Sequence, residues 1–178
     1  MGLDMEVLVW IQGLRSTAGD AVMTLISHSA DASLVWILLS IIFLSDKRTR
    51  RTGLQVLVTV MLCYTLNDLV LKEIFARPRP FFENTEYLPL ADASGYSFPS
   101  GHTFTSFAAA AMIFLHNRKA GAAALAYAAL VAFSRLYVYV HYPSDVIAGA
   151  LLGIICAVLV FVTAERIYPV GGKASDGA

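Results

Sequence analysis

The chain has 178 residues, no formal net charge, 57% hydrophobic and 15% charged residues, and a mean hydropathy of +0.65. An ordinary soluble domain is roughly 25% charged, so this composition argues for an integral membrane protein rather than a water-soluble one. The balanced charge excludes a global basic field for nucleic acid, and the length suits one domain over 1–178.

Residues 3–14 set Leu3, Val7, Trp10, Ile11 and Leu14 at helical spacing, which predicts an amphipathic helix within 1–17 lying on the membrane surface. Asp4 and Glu6 stand where a signal peptide needs basic residues, so no cleaved leader is expected. Five membrane spans follow, at about 20–44, 53–74, 102–115, 120–134 and 146–162. The most apolar part of the first, 34–44, is shorter than the ~20 residues a crossing helix needs. That span therefore extends back through His28 and Asp31 or breaks there. Residues after Pro169 are polar and expected to be disordered. Cys63 and Cys156 each sit in an apolar run and read as two buried, unlinked thiols. The fold expected is an all-α polytopic bundle of about five transmembrane helices plus the surface helix.

The charges orient the spans. Lys47, Arg48, Arg50, Arg51, Arg118, Lys119, Arg166 and Lys173 fall on one side of a five-span chain, which predicts that side as cytoplasmic. The residues that lipid-facing helices do not need fall on the other: Lys72, Arg79 and Pro80 after span two, Ser100, Gly101 and His102 opening span three, Ser134 and Arg135 closing span four, His141 and Asp145 before span five. Spans three and five both enter from this side, so their N-terminal N–H groups and partial positive charge face it too. Gly101 would let a ligand approach the backbone, and Pro143 suits a first helical turn. Lys72, Arg79 and Arg135 complete a cup suited to a phosphate dianion.

Two histidines beside a phosphate have natural roles: one attacks phosphorus as a neutral ring, the other protonates the departing oxygen. Asp145, four residues after His141, is expected to reach back to the ring. No metal or other cofactor is expected, because the cations would repel a metal and no carboxylates accompany the histidines in a ligand pattern. Span three is only 14 residues by this reading, about 21 Å of helix, which puts the cup near the headgroups. Arg77 reads as an arginine snorkelling to the headgroups, Asn67 and Asp68 as interhelical hydrogen-bonders, His116 as interfacial, and Tyr137, Tyr139 and Tyr142 as an aromatic belt.

Three stretches carry a family resemblance. KEIFARPRP holds K-x6-R-P at Lys72, Arg79 and Pro80; PSGH runs from Pro99 to His102; SRLYVYVHYPSD holds S-R-x5-H-x3-D from Ser134 to Asp145. Together they resemble the type 2 phosphatidic acid phosphatase (PAP2) superfamily of membrane lipid phosphatases. The resemblance implies His141 as nucleophile through a phosphohistidine, Asp145 as its orienting carboxylate and His102 as acid. It implies phosphate binding by Lys72, Arg79, Ser100, Gly101 and Arg135, with no metal. Size and span layout are similar to the bacterial undecaprenyl-diphosphate phosphatases of the superfamily; phosphatidate and phosphatidylglycerophosphate phosphatases share the motifs. The expectation is a plasma-membrane enzyme whose partners are the bilayer and a lipid phosphate or diphosphate held at the outer face. A phosphotransferase would use the same residues. A transporter would need polar groups along spans three and four, which are Ala-rich.

Overall fold

The computed structural model describes residues 2–168, and the expectation for the tail falls outside them. These residues are all-helical, with no strand among them. Helix α1 (Leu3–Gln12) is followed by α2 (Thr17–Ser29), a short 3₁₀ turn (Asp31–Ser33) and α3 (Leu34–Ser45). Next come α4 (Arg50–Leu66), a π turn (Asn67–Leu71), α5 (Lys72–Phe75) and α6 (Pro80–Glu83). Three long helices finish the chain: α7 (Gly101–His116), α8 (Arg118–Tyr137) and α9 (Pro143–Ile167).

Three stretches are long and apolar enough to cross a membrane: Arg50–Glu83, Arg118–Tyr137 and Pro143–Ile167. Thr17–Ser29 and Asp31–Ser45 are long and apolar enough only when taken together, and they meet at a bend of 48°. The first predicted span therefore breaks, at the position left open by its short apolar run. Helix α7 corresponds to the third predicted span. With 16 residues it is about 24 Å long, against ~30 Å of hydrocarbon, and most of it is enclosed by its neighbours. Large apolar side chains outside the core, among them Leu38, Ile41, Met61, Ile147, Leu151 and Leu159, remain exposed. Such an outward apolar surface belongs against lipid.

Helix α7 is the central post, packing most extensively on α9 and α8 and then on α4. Small residues allow this closeness. A side chain at Gly153 would put Cβ 2.5 Å from the Phe104 carbonyl oxygen and 2.9 Å from the Ala108 nitrogen; at Gly149 it would lie 2.8 Å from the Ser100 oxygen. Backbone meets backbone there, as in small-xxx-small packing of membrane helices. Gly153→Leu is therefore expected to lower the unfolding midpoint of the detergent-solubilised protein by about 5 °C or more, since overpacking costs roughly 1–3 kcal/mol and 1 kcal/mol is worth ~2–4 °C at this size. An unchanged midpoint in a thermal melt would contradict so tight a crossing.

Helix α1 uses two faces. Met5, Leu8 and Ile11 are buried, Met5 and Leu8 against Tyr139 and Tyr142, while Leu3, Trp10 and Leu14 point away from the protein. The aromatic-belt expectation for Tyr137, Tyr139 and Tyr142 is thereby corrected. All three are at most 4% exposed, because the returning α8–α9 loop needs a small core of its own under α1. Tyr139 adopts φ 64 within that loop, a strained value for a bulky residue. Cys63 and Cys156 are buried free thiols in one apolar cluster. His116 lies at the far end of α7, with Nε2 2.7 Å from Gln55 Oε1.

Candidate active site

One end of the bundle gathers the C-terminal part of the α4–α5 segment, the start of α7, the end of α8 and the start of α9. A cavity of about 340 Å³ opens among them, lined by Lys72, Arg79, Gly101, His102, Arg135 and His141 together with Asn67, Asp68, Asp92 and Ser94. Six of the eight site residues predicted from sequence thus share one cavity. The other two lie behind its wall. Ser100 is fully buried, its hydroxyl accepting from Thr103 Oγ1 at 3.0 Å and its N–H donating to the Asp145 carbonyl at 3.1 Å. Asp145 is fully buried behind His141.

His141 sits in the α8–α9 loop and is 2% exposed. Its Nδ1 is 3.4 Å from Ser97 Oγ and 3.6 Å from Asp145 Oδ2. The second distance is an ion-pair approach, longer than a hydrogen bond. Its Nε2, on the other side of the ring, lies 3.4 Å from Arg79 Nη1. Burial first, and then the Arg79 and Arg135 charges, push the ring's pKa well below the ordinary imidazole value, against the opposing pull of Asp145. The shift favours the neutral ring, whose Nε2 faces Arg79.

Asp145 is held from four directions. Oδ2 accepts from Ser97 Oγ at 2.5 Å and from the Tyr142 N–H at 2.9 Å, and faces His141; Oδ1 accepts from Arg77 Nη1 at 2.7 Å. The Tyr142 contact also caps α9, whose first residue is Pro143 as the sequence suggests. Arg77 bonds further to Ser144 Oγ and to Asp4 Oδ2 and stacks 3.8 Å over the Tyr142 ring. The headgroup-snorkelling expectation for Arg77 is corrected: a guanidinium with three protein acceptors stays among them because its donor fork fits them. Burial acts to raise the Asp4 pKa, but hydrogen bonds from Ser144 and Arg77 outweigh it and hold this carboxyl below its ordinary value. Helix α1 is thus anchored to the site through Asp4.

The cations differ in their freedom. Arg79 spends its donors on backbone carbonyls of Gly95, Ser94 and Val140, at 3.0, 2.7 and 3.0 Å, so it folds the 84–100 loop over the cavity as well as lining it. Lys72 pairs with Asp68 one helical turn back, at the π turn. Arg135 is 3% exposed and donates through Nη1 to Ser27 Oγ, while its Nε–H has no partner among the described residues. At Gly101 a Cβ would stand 2.9 Å from Asn67 Nδ2, so a larger residue would push that side chain aside. Asn67 and Asp68, read from sequence as interhelical partners, line the cavity instead. His102 Nε2 is 2.7 Å from Asp31 Oδ1.

Sequence reasoning missed Ser97, the role of Arg77 and the contact of Asp31 with His102. Ser97 lies two residues before Pro99 of PSGH and Arg77 two before Arg79, but only proximity in the fold gives them partners. Asp31 did carry a signal, as an acid inside a membrane span.

The family model described as PAP2 superfamily matches residues 52–168, which contain this whole constellation apart from Asp4, Ser27 and Asp31. The chain belongs to the PAP2 superfamily. Among its relatives, an undecaprenyl-diphosphatase of Sulfolobus acidocaldarius is 39% identical over 67% of this chain and 58% of that protein. The chain thus spans less than two thirds of that relative's length. The undecaprenyl-diphosphatase BcrC of Bacillus subtilis is 29% identical over 94% of this chain and 87% of that protein. Among solved structures, a transmembrane PAP2-type phosphatidylglycerolphosphate phosphatase from Bacillus subtilis superposes with a TM-score of 0.78 at 27% identity, covering 93% of this chain and 86% of that one. This PAP2 protein is a multi-pass membrane protein, with its apolar helices arranged as in a transmembrane neighbour.

Proposed function

We propose that this PAP2 protein is a lipid phosphatase that acts, without a metal, on undecaprenyl diphosphate at the extracytoplasmic face of the plasma membrane, releasing undecaprenyl phosphate and inorganic phosphate. The observation that carries the reading is the cavity itself. Two histidines and three cations line one small space, and buried Arg135 keeps an unpaired N–H, a costly state that an anionic oxygen would relieve. The names of two relatives point to the diphosphate. The positive-inside distribution of charge supports a cytoplasmic location for the opposite end of the bundle.

In this scheme Lys72, Arg79, Arg135 and the Gly101 N–H hold the phosphoryl oxygens, and Ser100 shapes the start of α7 behind them. His141 Nε2 attacks phosphorus while the bond to the leaving oxygen breaks, and His102 gives that oxygen a proton. Water then attacks the phosphohistidine, the P–N bond breaks, and His102 recovers its proton. Asp145 balances the charge on the His141 ring. In this scheme the cations supply the electrostatic stabilisation that a metal would otherwise give.

A second reading, phosphatidylglycerophosphate as substrate, is favoured by the structural neighbour. Purified protein offered undecaprenyl diphosphate, phosphatidate and phosphatidylglycerophosphate is expected to release phosphate fastest from the diphosphate, with rates unchanged by EDTA. Preference for a glycerophosphate monoester would move the assignment to the second reading. Loss of activity in EDTA, restored by Mg²⁺, would overturn the metal-free scheme.

A further inference from the structure

The bend in the first span brings three side chains together. Asp31 Oδ1 lies 2.7 Å from His102 Nε2, and Asp31 Oδ2 lies 2.8 Å from His28 Nδ1. One carboxylate therefore bridges two imidazoles. The bend is held in a conformation that non-glycine residues rarely adopt: Ala32 has φ 48 and Ser33 φ 59. Such strain persists only where surrounding contacts enforce it, and it gathers at functional sites. Here the enforcing contact is with α7 itself, where Ser33 Oγ donates to Thr105 Oγ1 at 3.0 Å, one turn along from His102.

The surroundings explain why a carboxylate is useful there. Lys72 and Arg135 line the same cavity as His102, so a protonated ring faces two like charges. Asp31 is the carboxylate in contact with it. Ala30, Ala32 and Ser33 continue the cavity wall beside His102 and Gly101, so a leaving oxygen on that side arrives next to the Asp31–His102 hydrogen bond.

We infer that Asp31 is a positioning residue for the acid, fixing the His102 ring and balancing its charge, with His28 bracing the far carboxylate oxygen. The inference rests on the phosphatase reading above and names a part of the site outside the matched family region. As the P–O bond breaks, the proton on Nδ1, the His102 nitrogen that Asp31 leaves free, passes to the leaving oxygen, and the neutral ring keeps its Nε2–H on ionised Asp31. When water attacks the phosphohistidine, the same nitrogen takes a proton back. The Asp31 and His28 side chains are 52% and 53% exposed, so solvent screens the pair and its part in folding is small. Catalytic and structural effects are therefore separable.

The test uses full-length protein in mixed micelles and two substrates, a long-chain alkyl phosphate and an aryl phosphate whose leaving group needs little proton help. Asp31→Asn is expected to lower kcat/KM, which reports the step that expels the leaving group, about 10-fold to 100-fold on the alkyl ester, part of the ~10²–10⁴ that a positioned acid supplies. The thermal midpoint and kcat/KM on the aryl ester should change little, and Asp31→Glu should recover part of the loss. In a His102→Ala background, Asp31→Asn should add nothing. Equal loss on both substrates, or a further loss in the His102→Ala background, would overturn the inference. If His102→Ala itself spares the alkyl ester, the acid role fails. If His102→Ala behaves as an acid deletion and Asp31→Asn is silent, only the positioning role of Asp31 fails.

Discussion

Replacing His141 with alanine is expected to cut phosphate release by about 10⁴-fold or more while the protein still folds. The proposed reaction has one nucleophile, and removing a nucleophile leaves only what bound water and the cations can do. The ring's two nitrogens face different partners, Nδ1 toward Ser97 and Asp145 and Nε2 toward Arg79. Among the described residues the other imidazole lining the cavity is His102, which carries the acid's part in this scheme. Because His141 is buried, its removal leaves a void. His141→Gln, which fills more of it, should be equally inactive with a midpoint closer to the parent's. Rapid quenching of the parent during turnover should trap an acid-labile phosphoprotein, absent from both variants. Turnover by His141→Gln within tenfold of the parent would remove the proposed nucleophile. The lowered pKa of this ring adds a condition: His141 remains unprotonated as the pH falls from neutral through 6, so any acid-side loss of rate there must come from another group.

Asp145→Asn is expected to reduce kcat by about 10³-fold, near the ~10⁴ that the same change costs where a carboxylate orients a catalytic histidine. The carboxylate accepts from Ser97, Tyr142 and Arg77 at once. An amide can accept on one side only. Its NH₂ group must then oppose either the Arg77 guanidinium or the Ser97 and Tyr142 donors. The first arrangement strands a guanidinium beside a donor, and the second uncaps α9. The second also turns the acceptor away from the His141 ring, and both leave the cation formed during attack without a nearby anion. The measurement is kcat on the preferred lipid, with the thermal midpoint as a control for the cap. A loss smaller than tenfold would show that the backbone loop alone orients His141.

How far these residues could be read without coordinates depended on the range of the forces involved. Lys72, Arg79, His102, Arg135 and His141 were legible because each breaks an apolar pattern at a helix end, and because the ends alternate between the two faces. Arg77 was misread for the complementary reason. An arginine beside a membrane helix end has a good generic explanation, and its true acceptors, Asp4 and Asp145, are 73 and 68 positions away in sequence. Tyr139 and Tyr142 fit an interfacial belt by composition, and only the docking of α1 shows that they are covered.

What the amino-acid sequence determined by itself was local or periodic: an apolar chain of helices, the helix ends that carry titratable groups, and the family those groups resemble. These follow from hydrophobic periodicity and from residue chemistry at fixed spacing, which act within a few turns. What only the tertiary structure decided was which groups touch. It set the 48° break that brings Asp31 to His102, the Asp4–Arg77–Asp145 chain that ties α1 to the site, and the retreat of Ser100 behind the cavity wall. The physical reason is that hydrogen bonds and ion pairs act over about 3–4 Å. Their partners are chosen by how α7 and α9 cross at Gly149 and Gly153 and by where α1 docks, and no local spacing encodes those choices.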